Sequence, residues 1–329
     1  MATIVDVAKY AGVSIATVSR VLNQSKGVSE EKKKRIFEAI DVLGYQSGAD
    51  KNEKKRYMVL VCSICQPDIL KGVEVQAGEM DYELLVLPCR EENLDISSVL
   101  SELQEIREKI AGILLLDMRH DSSDIEQLKA VYPVVVIGEY NPCGTYVISA
   151  DNEAASRDMV AYLIHQGCKK IGLLTSDRAD KAGVRISVER DVGYMRALLE
   201  NNIAYDSGLV IAGEFSFEGG YHCVMELLNR KLYPDALFCI SDKIALGAVR
   251  ALYERGLRVP EDMMVCGFDN ERFCSWCVPS LTTVDQNLKG IGMQAVRTLA
   301  ALVQGGEYKN CRIYSQHRLI LRDSTGKIK

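Results

Sequence analysis

Two sets of side chains have the types and positions that binding chemistry needs, and the first lies near the start of the chain. In the stretch GVSIATVSR (residues 12–20), short hydroxyl side chains alternate with apolar ones and end at Arg20. Hydroxyls at a helix N-terminus can bind phosphates, and an arginine can reach a phosphate or a guanine edge. Ile15 and Ala16 have no hydrogen-bonding group and would read shape and thymine methyls. This set predicts contact with duplex DNA.

The second set follows short apolar runs much further along the chain. Carboxylates and an arginine can form bidentate hydrogen bonds with neighbouring hydroxyls, and an aromatic face can stack on a sugar ring. Two of the acidic residues have a plainer alternative, since Asp151 and Asp242 could simply cap the helices that follow them. The candidates for binding a small molecule are Asp151, Arg190, Phe215, Ser241, Asp242 and Asp269.

Cysteine and histidine give no comparable site. The eleven cysteines include two Cys-x-x-Cys pairs, Cys62/Cys65 and Cys274/Cys277, which together could mimic a four-thiolate zinc site. The pairs are about two hundred residues apart and one begins inside a strand-like run, so we expect reduced, buried thiols. We expect no metal and no cofactor.

Catalytic motifs are also missing from the sequence. None of the four histidines stands in a metal-spaced pair or beside a nucleophile motif: His120, His165, His222 and His317. No G-x-G-x-x-G follows a strand-like run, and there is no Walker loop. These observations predict that the protein is not an enzyme.

Composition and charge favour a protein with a basic head. The chain has 329 residues, 47% of them hydrophobic, and a net charge of −5. Residues 1–56 hold eleven Lys or Arg and seven Asp or Glu, a net charge of +4, so the remainder carries −9. A basic head on an acidic body indicates a polyanionic partner, although a solvated surface helix around KKKR explains part of it. No run reaches membrane length and no secretory h-region is present, so we expect a cytoplasmic, nucleoid-associated protein.

Three short helices are expected over residues 3–43, and they would position the first set. Thr3-x-x-Asp6 is a capping-box pattern, and Ser14 and Ser29 can cap the second and third helices. Ala8, Gly12 and Val18 have the offsets of a helix-turn-helix, with further apolar contacts expected from Val5, Val13 and Val21. In the third helix Ile36, Ile40 and Leu43 share a face, with Phe37 beside them.

From Tyr57 onward, compact apolar runs such as AGILLLD and PVVVIG alternate with amphipathic stretches. This pattern predicts an α/β body with parallel sheets in two subdomains and a cleft at the carboxyl ends of the strands. The fold class is therefore an all-α helix-turn-helix headpiece joined to a two-subdomain α/β body. The expected domains are a headpiece at 1–45, a linker at 46–56 and a small-molecule-binding body at 57–329.

These motifs resemble the lactose/galactose-repressor family of bacterial transcription regulators. TIVDVAKYAGVSIATVSRVLN followed by VSEEKKKRIFEAIDVLGY is similar to the family headpiece. The body agrees over nearly its whole length, and GLRVPEDMMVCGFDN joined to PSLTTV is very specific.

The resemblance implies a body folded like periplasmic sugar-binding proteins, and a homodimer whose DNA binding a small effector controls. It implies a pseudo-palindromic operator, an effector that is a sugar or related metabolite, and effector contacts at the six candidates above. Because no leucine heptad follows the last strand-like run, we expect dimers rather than tetramers. The expected DNA-binding residues are Thr3, Ser14, Ile15, Ala16, Thr17, Ser19, Arg20, Asn23 and Tyr45.

Two features depart from the family pattern. The stretch from Ser47-Gly48, where the family has a hinge helix with a leucine that wedges into the minor groove, is several residues short, and no leucine lies between Leu43 and Leu60. We therefore expect weaker operator bending, accompanied by weaker operator affinity or by looser coupling to the effector. Cys168 stands where the family has histidine, with little expected consequence.

Three rival functions follow from these features. An enzyme would need a catalytic motif, and an exported solute-binding protein would need a signal peptide and no basic headpiece. The third is a ligand-sensing family member with a degenerate hinge and weak or lost operator binding.

Overall fold

The computed structural model describes residues 3–22, 28–43, 56–62, 66–89, 95–116, 122–138, 144–176, 184–307 and 311–326. The chain divides into two compact units, Met1–Arg56 and Tyr57–Lys329. The expected linker at 46–56 lies outside the described residues except for Arg56, which opens the first strand.

The first unit contains helices α1 (Ile4–Ala11), α2 (Ile15–Leu22) and α3 (Glu30–Leu43). The Thr3–Asp6 capping box is formed at α1. The helices share a small core of Val7, Ala8, Ala11, Val18, Val21, Ile36 and Ala39. The contact expected from Val5 is wrong, because Val5 is 53% exposed, and Phe37, beside the apolar face of α3, is also 53% exposed. A core this small is filled by one face of each short helix, and these two residues lie off that face.

The first subdomain of the body is a parallel sheet covered by helices. Its strands are ordered β11-β5-β4-β3-β1-β2, and all its described pairings are parallel. Its elements are β1 (Arg56–Cys62), α4 (Pro67–Glu79), β2 (Tyr82–Pro88), α5 (Ile96–Glu102), β3 (Ile110–Leu116), α6 (Ser122–Lys129), β4 (Val134–Ile137), β5 (Tyr146–Ala150), α11 (Leu288–Val303) and β11 (Arg312–Ser315).

The second subdomain is a parallel sheet of order β7-β6-β8-β9, with a two-stranded antiparallel sheet, β10-β12, beside it. Its elements are α7 (Asn152–His165), β6 (Ile171–Ser176), α8 (Val184–Glu200), β7 (Val210–Gly213), α9 (Phe217–Asn229), β8 (Ala236–Cys239), α10 (Asp242–Glu254), β9 (Met264–Cys266), β10 (Thr283–Asp285) and β12 (Arg318–Ile320).

The chain crosses between the two subdomains three times. The crossings follow β5, β10 and β11, because α11 and β11 return to the first sheet whereas α7 and β12 belong to the second subdomain. Parallel strands buried on both faces explain the continuous apolar runs of the sequence. The predicted fold class is confirmed.

Candidate functional site

The turn between α1 and α2 fixes the helix that carries the first set of residues. Gly12 ends α1 with φ of 63° and its N–H donates to the Ala8 carbonyl. That left-handed conformation favours glycine. The Ser14 hydroxyl then accepts from the Thr17 N–H at 3.2 Å and bonds the Thr17 hydroxyl at 2.8 Å, so Ser14 caps α2 as expected.

The two faces of α2 have different surroundings. Val18 and Val21 are buried against the other helices. On the other side, Ser14, Ile15, Ala16 and Arg20 are exposed, and Thr17 and Ser19 are half-buried. Thr3 is exposed at the start of α1, while Asn23 and Tyr45 lie outside the described residues. The unit therefore presents an exposed face of α2, with hydroxyl side chains at its N-terminus and Arg20 in its last turn, of the kind that enters a major groove.

A buried arginine organises the second site, at the carboxyl ends of the strands of the second sheet. Arg190 on α8 is only 3% exposed. Its guanidinium donates to the Ile240 carbonyl at 2.5 Å and to Asn152 Oδ1 at 2.9 Å, and it pairs with Asp269 at 3.2 Å. The guanidinium carbon lies 3.7 Å from the centre of the Phe268 ring. A charge this deeply buried needs such a set of partners, and Arg190 has one on each side.

Asp269 is the more accessible member of this ion pair, since 24% of its side chain is exposed. It accepts a hydrogen bond from Gln286 Nε2 at 2.7 Å, and its backbone φ is 117°. Asn270 follows with φ of 57° and accepts from the Arg322 guanidinium at 2.9 Å. Two positive-φ residues in succession are costly, so the loop depends on these side-chain bonds to hold its carboxylate at the strand ends.

Ser241 and Asp242 are fully buried beneath this loop. The Ser241 hydroxyl caps α10, so the capping role considered for Asp242 belongs to its neighbour. Asp242 instead accepts from the Thr283 hydroxyl at 2.5 Å and the Glu271 N–H at 2.7 Å. Burial, with the nearby Asp269 carboxylate adding to it, raises the pKa of Asp242 to about 7. Asp242 thus joins the loop at Glu271 to β10, and neither residue presents accessible surface.

Asp151 and Phe215 lie at other strand ends and are half-buried. The Asp151 carboxylate caps α7 by accepting from the Ala154 N–H at 3.0 Å, as its plainer alternative anticipated. Phe215 follows β7 and packs against the core of the second subdomain. Among the described residues, neither Asp151 nor Phe215 forms a hydrogen bond or ion pair with Arg190 or Asp269.

Four residues of this network could not be selected from sequence patterns: Asn152, Glu189, Gln286 and Arg312. Asn152 and Glu189 adjoin the candidates Asp151 and Arg190, and that adjacency was the one signal available. Arg312 is more than a hundred residues from Glu189, to which its guanidinium bonds at 3.4 Å. Long-range partners of this kind are decided by how the strands are ordered in space.

Most of the cysteines in the described residues are buried thiols, whereas Cys311 is exposed. Cys62 and Cys274 are buried and Cys277 is half-buried, whereas Cys65 lies outside the described residues. Burial raises the pKa of the Cys274 and Cys277 thiols, which disfavours the thiolate. Within the described ranges, no cluster of three metal-ligating side chains is present, and no helix is long and apolar enough to cross a bilayer.

A helix-turn-helix unit and a two-subdomain α/β body with a charged network at the carboxyl ends of its strands define the class of ligand-responsive DNA-binding regulators. The family model for bacterial regulatory proteins of the lacI family matches residues 3–47, and that for the periplasmic binding protein-like domain matches residues 160–325. The chain belongs to the lacI family. It is a transcriptional regulator and not an enzyme, and the expected family is confirmed.

The similarity to known proteins extends over nearly the whole chain. The HTH-type transcriptional repressor CytR of Escherichia coli K12 is 34% identical over 98% of this chain and 96% of its own. The repressor PurR of Mannheimia succiniciproducens is 32% identical over the full length of both. Among solved structures, the transcriptional regulator CelR–cellobiose complex has a TM-score of 0.67 at 29% identity, covering 98% and 100% of the two chains. A lac repressor dimer bound to operator and the anti-inducer ONPF has a TM-score of 0.70 at 25% identity, covering 99% of each.

Asp242→Asn should remove a pH dependence of stability. Because the folded-state pKa is raised to about 7, the folded protein keeps a proton that the unfolded chain loses above about pH 4, so the free energy of unfolding falls as pH rises through this window. The full effect is at most about 4 kcal/mol. Asn can accept from the Glu271 N–H and donate to Thr283, so the variant should gain stability relative to wild type between pH 5 and pH 8 in urea unfolding.

Asp262→Asn is the matched control for this measurement. The Arg258 guanidinium lowers the pKa of Asp262 to about 2, so both its folded and unfolded values lie below the range tested. Its stability difference from wild type should not change between pH 5 and pH 8. Parallel pH profiles for Asp242→Asn and wild type would show that Asp242 does not titrate in this range.

Proposed function

We propose that this protein is a cytoplasmic, nucleoid-associated, homodimeric repressor whose operator affinity changes when a sugar or related metabolite binds between its subdomains. The observation that carries the proposal is the exposed N-terminal face of α2, held by the Gly12 turn and the Ser14 cap. The named relatives CytR and PurR are repressors, which supports repression here.

In this proposal α2 enters the major groove of a pseudo-palindromic operator. Ser14, Thr17 and Ser19 bind phosphates, Ile15 and Ala16 contact base edges, and Arg20 binds a phosphate or a guanine. Thr3, Asn23 and Tyr45 complete the DNA contacts. The linker without leucine would bend the operator weakly.

The effector would bind at the carboxyl ends of the strands, against the accessible carboxylate of Asp269 and the guanidinium behind it. Such a charged pair can bind two adjacent hydroxyls. Asp151 and Phe215 lie at neighbouring strand ends and would complete the contact, whereas the buried Ser241 and Asp242 would act by holding the loops. A solved relative, CelR, was crystallised with cellobiose, which supports a polyhydroxylated effector. A coupling free energy of about 1–3 kcal/mol would be enough for control.

The dimer would form partly through an apolar face of the second subdomain. Phe217 on α9 contacts Phe273, with ring centres 5.7 Å apart, and is itself 40% exposed. The adjoining loop exposes 85% of Trp276 and 91% of Val278. Large exposed apolar side chains grouped in this way mark an interaction surface. A second copy of this chain is the occupant that a solved relative supports, the lac repressor dimer.

Arg20→Ala should lower affinity for DNA from upstream of the protein's own gene by about 1–3 kcal/mol, with circular dichroism unchanged, because the exposed side chain lies off the helical core. Gel shifts with this DNA and with unrelated DNA measure the specific part. Lys71→Ala, which removes a positive charge from exposed α4, is the control and should bind like wild type.

If Arg20→Ala keeps full affinity, Arg20 is not part of the DNA site. If the wild type itself does not shift the upstream DNA, the alternative function, a ligand sensor with weak or lost operator binding, is favoured.

A thermal-shift screen of sugars, nucleobases and amino acids tests the effector site. A ligand at a hundredfold over its dissociation constant stabilises by about 2.7 kcal/mol. Asp269→Asn should abolish the shift of any compound that acts on the wild type, because it removes the accessible charge. Asp206→Asn, a change at the cap of a short helix, should not. A shift that survives in Asp269→Asn would place the ligand elsewhere.

Val278→Asp should dissociate the dimer, because a charge would be buried without a partner at the interface. Sedimentation measures the mass of the assembly. The fluorescence emission of Trp276, the single tryptophan, should shift to longer wavelength as this face becomes exposed to solvent. Leu199→Asp introduces the same charge at an apolar side chain on α8 that is 77% exposed, and it should leave the dimer intact. A Val278→Asp variant that remains dimeric would exclude this face.

A further inference from the structure

A continuous set of polar contacts joins Arg190 to the edge of the first sheet. Arg190 Nε donates to Asn152 Oδ1 at 2.9 Å, and Asn152 Nδ2 donates to Glu189 Oε2 at 3.2 Å. The other oxygen of Glu189 accepts from Arg312 Nη2 at 3.4 Å. Arg312 Nε in turn donates to the Ser149 hydroxyl at 3.2 Å.

Glu189 and Arg312, which form the ion pair of this set, belong to different subdomains. Glu189 lies on α8, which packs on α7 and β6 of the second subdomain. Arg312 opens β11, which pairs in parallel with β5 in the first sheet, where Arg312 stands opposite Val147. Their ion pair therefore bridges the two subdomains close to the crossings that follow β5 and β11.

Glu189 also sets the orientation of the Asn152 side-chain amide relative to Arg190. The Asn152 amide has one oxygen and one NH2 group, and only one orientation serves both neighbours, with the oxygen toward the guanidinium and the NH2 toward the carboxylate. Asn152 is buried, so a wrong orientation would leave buried polar atoms without partners. Glu189 thus fixes the amide that holds Arg190.

The partial burial of the Glu189–Arg312 pair strengthens the attraction between its two charges. The Glu189 and Arg312 side chains are 23% and 19% exposed, so solvent screens them less than the surface pairs of the same helix. Arg196 and Glu153, for comparison, are 52% and 39% exposed, and they join α8 to α7 inside one subdomain at 2.7 Å.

We propose that Glu189 and Arg312 form a clasp between the subdomains that ties the position of Arg190 to the angle between the two sheets. Glu189 is a positioning residue, acting on the effector-binding arginine through Asn152, and Arg312 is its anchor on the first subdomain. A ligand that displaces Arg190 would also displace Asn152 and Glu189, and would thereby strain the Glu189–Arg312 ion pair. The effect of the clasp on operator binding rests on the proposed function, whereas its presence does not.

Hydrogen exchange of the full-length protein tests the clasp without any ligand. Glu189→Gln keeps the size of the side chain and Arg312→Gln shortens it at a partly exposed position, and each removes one charge, so both variants should fold. Each should speed amide exchange about three- to tenfold in the segments 151–156, 285–290 and 312–318, and the double variant should be no faster than either single one. Arg196→Gln, the control, breaks the surface pair with Glu153 and lies outside all three segments, so it should leave their exchange unchanged.

Gel shifts with the upstream DNA measure the consequence. Operator affinity should change about threefold or more in both clasp variants and not in the Arg196→Gln control. Unchanged exchange, additive effects in the double variant, or faster exchange throughout the body would each overturn the clasp. Local exchange with unchanged operator affinity would show that the clasp does not control DNA binding. Local exchange with no DNA binding by the wild type would instead count against the proposed function.

Discussion

The body is organised around one buried positive charge. Arg190 is removed from water by the strands and loops around it, and an unpaired guanidinium there would cost several kcal/mol. The Ile240 carbonyl, Asn152 and Asp269 each meet one of its N–H groups, and the Phe268 ring lies over its face. These partners come from three parts of the chain, around residues 152, 240 and 268–269, so satisfying one charge requires the second sheet and the crossing after β5 to be formed together.

The need to pair the Arg190 charge also explains the strained backbone of the neighbouring loop at Asp269 and Asn270. Asp269 and Asn270 both have positive φ, and they stay there because Gln286 and Arg322 bond their side chains from the segments around β10 and β12. Asp242 lies below, buried with a raised pKa and bonded to Thr283 and Glu271. Under the proposed function, stability and ligand binding would therefore depend on the same loop.

The headpiece is built in the opposite way, from local rules. The capping box at Thr3, the left-handed turn at Gly12 and the cap at Ser14 each depend on residues three or four apart. A few small apolar side chains then close the core. Little of α2 is needed for packing, so most of its first two turns are available for another molecule.

The sequence by itself determined the three helices, the alternation of buried strands with helices, and the identity of Arg190 and Asp269 as cleft candidates, because these follow from local spacing and from strand ends. Tertiary structure alone decided that Val5 and Phe37 are exposed, that Ser241 and Asp242 are enclosed, and that Asn152, Glu189 and Arg312 join the site. Those outcomes depend on which strands become neighbours and where the chain crosses between sheets. Contacts between residues more than a hundred positions apart leave no periodic signal in the sequence.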